Sequence, residues 1–166
     1  ISDIWQSYFQ ASSSTNASQS LTTQSNDRLV TPSYDFLWQN DIKIGTDKLQ
    51  VLLERNIQYA NMNNSAYQTY CGNPNACSNI NINQQRTTNS IAGSYELKRG
   101  NHLATLALRN DQISQYGSKV TYSAAYGYFI TKELRTNINY GTGFRAPSFN
   151  DLYYPGYGTA NLKPET

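Results

Sequence analysis

Apolar and polar residues alternate along several stretches of this chain. In 34–44 the even positions Tyr34, Phe36, Trp38, Ile42 and Ile44 are apolar, with Asn40 the exception. The odd positions are polar except Leu37. A period of two predicts a strand with one apolar and one wet face. Gly45-Thr46-Asp47-Lys48 predicts a tight turn, because Gly and Asp tolerate turn dihedrals. The next strand places Leu49, Val51, Leu53, Ile57 and Tyr59 on one face, interrupted by Arg55. Gln50, Glu54, Asn56 and Gln58 lie on the other, interrupted by Leu52. The same pattern recurs in 91–97, more weakly in 103–108, and again in 120–128 and 134–140. With an opening segment near Trp5–Ala11, the chain predicts about seven strands, paired 34–44 with 49–59, 91–97 with 103–109 and 120–128 with 134–142.

The connections fall into two groups. Turns near 45–48, 98–101 and 131–133 are short, whereas 12–31, 60–86, 110–118 and 145–166 read as long polar loops. Short turns at one end and long loops at the other describe an outer-membrane β-barrel. A soluble sandwich with one wet face shows the same alternation within strands, and the loop asymmetry is what favours the barrel. No helical period persists over three turns; Pro147–Leu152 has room for one helical turn, with Pro at an early position.

Composition sharpens this reading. Charged residues are 14% and hydrophobic ones 38% of the 166 residues, so uncharged polar residues dominate. Aromatics reach 13%, which argues against global disorder. A net charge of +2 gives no sign of a nucleic-acid partner. No apolar run is long enough for a membrane-spanning helix, a limit that does not touch barrels. Tyr34, Trp38, Tyr59, Tyr95, Tyr128 and Tyr140 stand near the ends of the apolar stretches, as residues of a membrane interface do.

Candidate chemistry is sparse. Cys71 and Cys77 bracket a short Asn/Pro loop, which suggests a disulfide in an oxidising compartment. Their spacing is not that of a zinc site and the single histidine, His102, is in another segment, so no metal is expected. One histidine beside a turn gives no triad, and His102 reads as solvated or interfacial. Asp41 and Glu54 share a face across a hairpin; wall-lining charges explain them better than a glycosidase pair. Gly141-Thr142-Gly143 is not a nucleotide loop. No catalytic residue, enzymatic activity or cofactor is expected.

The segment Tyr140-Gly141-Thr142-Gly143-Phe144-Arg145-Ala146-Pro147-Ser148-Phe149-Asn150-Asp151-Leu152-Tyr153, followed by Asn161-Leu162-Lys163-Pro164-Glu165, closely resembles the signature of TonB-dependent outer-membrane receptors. Gly143, Arg145, Ala146, Pro147, Leu152, Tyr153, Asn161, Leu162, Pro164 and Glu165 carry the match. Within that family, Arg86 to Glu165 looks most like receptors for cobalamin, through Arg109-Asn110-Asp111, Ser114-Gln115-Tyr116-Gly117 and Ala125-Tyr126-Gly127-Tyr128-Phe129. Residues 28–62 resemble the family loosely, and neither the first 27 residues nor the Cys71–Cys77 loop does.

The resemblance implies an all-β antiparallel meander, part of a transmembrane barrel of about 22 strands that surrounds a plug. It implies a bacterial outer-membrane location, lipid around the wall, a scarce transported ligand, and energy passed from TonB. On this reading residues 1–166 are one partial barrel domain, without the plug or the C-terminal strands, and inert as a transporter alone. Its open strand edges are expected to make the isolated polypeptide self-associate. The alternatives are a complete eight-stranded barrel with a structural or adhesive role, and a soluble binding module. Ligand is expected at the long-loop end. Tyr67, Tyr70, Tyr153, Tyr154 and Tyr157 offer flat aromatic surface there, and Asn63, Asn64, Asn73, Asn75 and Asn79 offer neutral hydrogen bonds. The cations Arg28, Arg86, Lys119, Arg145 and Lys163 are scattered, which favours an amide-rich corrinoid, cobalamin, over an anionic ferric siderophore.

Overall fold

The computed structural model describes residues 3–21, 26–64, 82–153 and 158–166. Seven antiparallel strands follow one another in a single sheet: β1 Trp5–Leu21, β2 Asn26–Ile44, β3 Asp47–Asn64, β4 Ile82–Arg99, β5 His102–Ile113, β6 Gly117–Phe129 and β7 Arg135–Gly141. One five-residue helix, α1, spans Phe149–Tyr153. Each strand pairs only with its neighbours in sequence, and the three predicted pairings are all present.

Three hairpin turns share one end of the sheet, at 45–46, 100–101 and 130–134. Two of them place glycine first, Gly45 at φ 64° and Gly100 at φ 55°, where a side chain would be strained. The residue order and the sign of φ suit a type II′ hairpin, whose twist matches that of the strands. Asp47, the first residue of β3, ties this rim together. Its buried carboxylate accepts bonds from the Tyr95 hydroxyl (2.7 Å), the Lys98 amide (3.1 Å) and both terminal nitrogens of Arg99.

The opposite end differs from the expectation of long loops. β1 continues to Leu21 and β2 begins at Asn26, so 12–31 is mostly strand. β5 and β6 leave only 114–116 between them, and 60–86 shrinks to a link at 65–81. The described parts of 12–31, 60–86 and 110–118 are mostly strand extensions, whereas 145–166 forms no strand of the sheet. Backbone pairing needs no apolar side chain, so a strand surrounded by water keeps its ladder and loses its alternation. Pro32 marks this region of β2: it has no N–H, and the β2–β3 register passes over Thr31 and Pro32.

Register assigns the two faces. Phe9, Trp38, Leu53 and Ile91 line up across β1 to β4 on the apolar face. Leu108, Tyr122 and Ile138 continue it. These side chains are open to the surroundings, with Phe9 66% and Ile138 72% exposed, so among the described residues no other element packs on this face. Asn40 interrupts it beside Ser7, its direct cross-strand partner. Both interruptions are satisfied: the Trp5 indole N–H donates to the Asn40 side-chain oxygen (3.1 Å) and the Trp38 indole N–H to the Ser7 hydroxyl (2.8 Å).

The polar face is a hydrogen-bonded network. Asp41 holds Lys48 at 2.9 Å and accepts bonds from Gln39 and Gln50. Arg109 bridges Glu54 (2.7 Å), Asp111 (2.8 Å) and the Ser90 hydroxyl (2.9 Å). Asp41 and Glu54 are thus each committed to a cation of the wall. The compact apolar cluster of this face lies at the end away from the hairpin turns, where Leu29, Ala60, Met62 and Ile82 bury themselves against Phe149.

Candidate functional site

After β7 the chain turns back over the polar face. Thr142 extends the ladder by one residue, its amide donating to Tyr122 O (2.9 Å) and its hydroxyl accepting from the Tyr122 amide (3.0 Å). Further on, Arg145 and Glu165 exchange backbone bonds, 3.0 Å each way, as an antiparallel bridge. The two halves of the sequence signature, Arg145-Ala146-Pro147 and Asn161–Glu165, therefore meet in space.

Between them lies α1. Ser148 caps it, and Pro147 stands outside the helix rather than at its first turn. The Asp151 carboxylate accepts from the Ser148 amide (2.8 Å), and the Asp151 amide donates to the Ser148 hydroxyl (3.2 Å). This reciprocal pair is a capping box with Asp in the third helical position. Hydrogen bonding with Ser148, side chain first and backbone amide second, holds the Asp151 carboxyl below its ordinary value, helped by the charge of Arg145.

Burial of Phe149 and Leu152 docks α1 on the wall, and Phe149 joins the apolar cluster of β2–β4. Arg86 of β4 fastens the docked segment. Its Nε donates to Gln115 Oε1 (3.0 Å), its Nη2 to Pro147 O (2.9 Å), and its guanidinium lies 4.8 Å from the Phe149 ring centroid and 5.6 Å from that of Tyr116.

The docked segment and the extensions of β1 and β2 enclose a groove of about 520 Å³. Ser14, Asn16 and Ser18 line it from β1, Thr31 and Ser33 from β2, Gln58 from β3 and Arg86 from β4. Ala146, Ser148, Phe149 and Asn150 close it from the signature segment. Two-residue spacing at 14, 16 and 18 and at 31 and 33 puts these groups on one face. That period is present in the sequence, within a stretch that reads as loop for want of apolar residues.

Of the expected ligand residues, Tyr153 packs its ring against the apolar cluster, stacked on Phe149, and its hydroxyl receives a long bond from Gln115 (3.4 Å). Tyr67, Tyr70, Asn73, Asn75, Asn79, Tyr154 and Tyr157, and both cysteines, lie outside the described residues. Asn63 and Asn64 end β3. Among the signature residues, Arg145, Ala146, Pro147, Leu162 and Glu165 line a smaller hollow of about 230 Å³ with Asp151 and Lys163. Pro147 and Leu152 are buried, whereas Gly143 and Asn161 are exposed and Pro164 is half-buried. The signature is thus chiefly a docking device. Arg86, which sequence reasoning leaves among scattered cations, is its anchor.

Residues 2–166 match the family model described as TonB dependent receptor-like, beta-barrel. The chain belongs to this family. As a TonB-dependent receptor barrel it is outer-membrane wall: the apolar face meets lipid, the polar face meets the lumen, the hairpin turns are periplasmic, and the strand extensions are extracellular. Among curated proteins, the vitamin B12 transporter of Photobacterium profundum is 51% identical over 59 residues, 36% of this chain and 10% of that protein. The vitamin B12 transporter of Vibrio vulnificus strain YJ016 is 41% identical over 63 residues, 38% of this chain and 10% of that protein. That of Vibrio vulnificus strain CMCP6 is 33% identical over 82 residues, 49% of this chain and 13% of that protein. The matched stretch spans about a tenth of the length of these relatives.

Proposed function

We propose that this chain is part of the wall of a receptor that takes up cobalamin across the outer membrane, with energy supplied through TonB. On this reading residues 1–166 form one partial barrel domain, completed in the intact receptor by further strands and a plug. The relatives named vitamin B12 transporters support the ligand. The observation that carries the reading within the molecule is the extracellular groove, lined mainly by neutral hydroxyl and amide groups, with Leu29, Ala146 and Phe149 as apolar surface and Arg86 as its one cation among the described residues. A corrinoid presents many amide side groups, which such a surface can match without charge.

Tyr153, Tyr154 and Tyr157, with Tyr67, Tyr70, Asn73 and Asn75 of the β3–β4 link, are proposed to contribute contacts at the same end. A Cys71–Cys77 disulfide is proposed to shape that link; its loop is short, so its entropic contribution is below the roughly 3 kcal/mol that chain entropy gives a 15-residue loop. The deciding experiment is equilibrium binding by the intact receptor. Saturable cobalamin binding is expected. Binding of a ferric siderophore with none of cobalamin overturns the ligand and leaves the transporter class standing.

A further inference from the structure

Arg86 is a buried cation with no carboxylate paired to it among the described residues. It is 6% exposed, and the ion pairs of the described residues engage Lys48, Arg99 and Arg109 instead. A guanidinium carries five N–H donors. Two of them reach Gln115 and Pro147, both neutral acceptors, and the other three have no acceptor among the described residues. The ring faces of Phe149 and Tyr116 attract the cation but bring no negative charge to it. Burying a charge is costly unless an opposite charge and good hydrogen bonds accompany it. Every other ionised group described above on the polar face of the sheet meets that requirement within the wall; Arg86 does not.

Arg86 also lines the groove, and no acidic residue does. The same groove is lined by small donors from separate strands, among them the hydroxyls of Ser14, Ser18 and Ser33 and the amides of Asn16 and Gln58. Donors contributed by several strands can bond more than one oxygen of an oxyanion. We infer that the groove is an anion site, in which Arg86 pairs with a phosphate or phosphodiester and these neutral donors hold its remaining oxygens. At about 520 Å³ the groove exceeds a lone phosphate, so the anion arrives on a larger, hydrogen-bonding body. The inference rests on the cobalamin reading for its source: cobalamin carries one phosphodiester, in its nucleotide tail, and cobinamide has the same ring system without that tail.

The test uses the intact receptor in detergent, as wild type, Arg86→Gln and Asn16→Asp. The second variant keeps every bond of Arg86 and supplies a carboxylate inside the groove. Binding of cyanocobalamin and of cobinamide is measured for each. The wild type is expected to favour cyanocobalamin by about 10- to 100-fold, the value of one charge-assisted hydrogen-bonded contact. Both variants are expected to bring that ratio towards one by weakening cyanocobalamin alone. Equal losses for the two corrinoids, or an unchanged ratio, make Arg86 a structural latch and overturn the anion site. If the wild type binds neither corrinoid, the cobalamin reading fails, and a second arm decides the site alone. Sodium phosphate then raises the unfolding temperature of the wild type over sodium chloride of equal ionic strength, and does not raise that of Arg86→Gln. No rise in the wild type overturns the proposal.

Discussion

Residues 34–44 and residues 12–21 are both uninterrupted strand, and they pair with β3 and β2 over nearly their whole lengths. Only the first alternates. Its 11 residues match the roughly 9–11 that a tilted strand needs to cross the hydrocarbon. The second is Ser, Thr, Asn, Gln and Ala on both sides, broken only by Leu21 at its end. Alternation therefore records the presence of lipid on one face, whereas strand formation records only a partner for the backbone. Above the membrane the wall turns apolar where another segment covers it, as at Leu29, Met62 and Ile82 beneath α1.

The largest effect should come from charging the lipid face. Leu53→Arg, in the middle of the apolar stretch, is expected to destabilise the folded barrel by about 2–4 kcal/mol in denaturant titrations in bilayers. Asn61→Arg points to the same side of β3 above the membrane and should change stability by less than about 0.5 kcal/mol. Equal costs at the two positions would erase the distinction between the two halves.

Met62→Ala is next, at about 2–3 kcal/mol, because Met62 is buried under the docked segment. Ser18→Ala, at the open groove, should be near neutral by the same measurement. Ser148→Ala removes the cap of α1 and should cost about 1 kcal/mol of docking, read as faster proteolysis at α1 with the sheet intact. The smallest effect is one of pH. The Asp151 carboxyl has a lowered value in the folded chain, so its contribution to docking is complete above the ordinary carboxylate range near pH 4. It is lost as pH falls through the lowered folded value. A fluorophore on Asn150→Cys should report loosening in that acid window, and Asp151→Asn should abolish the pH dependence.

Much of the wall is legible in the sequence, because lipid writes a period of two into the chain. Phe36, Trp38, Leu53, Ile91 and Tyr122 all declare their face. The strand extensions are not legible as strand, since Ser14, Asn16 and Ser18 face water on the groove side and their neighbours face water on the other. The signature is recognisable from Ala146-Pro147 and Asn161–Glu165, but nothing in the order of residues says that its halves pair. Arg86 is hidden for a similar reason: its partners Gln115 and Pro147 are 29 and 61 residues away. Helix α1 starts two positions later than expected, at Phe149 rather than Pro147, because Ser148 is the residue that caps it.

The two indole bonds on the lipid face have an optical consequence. The chain holds two tryptophans, and each donates its N–H across the β1–β2 seam to a polar atom surrounded by hydrocarbon-facing neighbours. Their emission is therefore a native gauge of that seam: blue and quenched by brominated acyl chains while β1 and β2 are zipped in the membrane, red and quenched by aqueous iodide once they part.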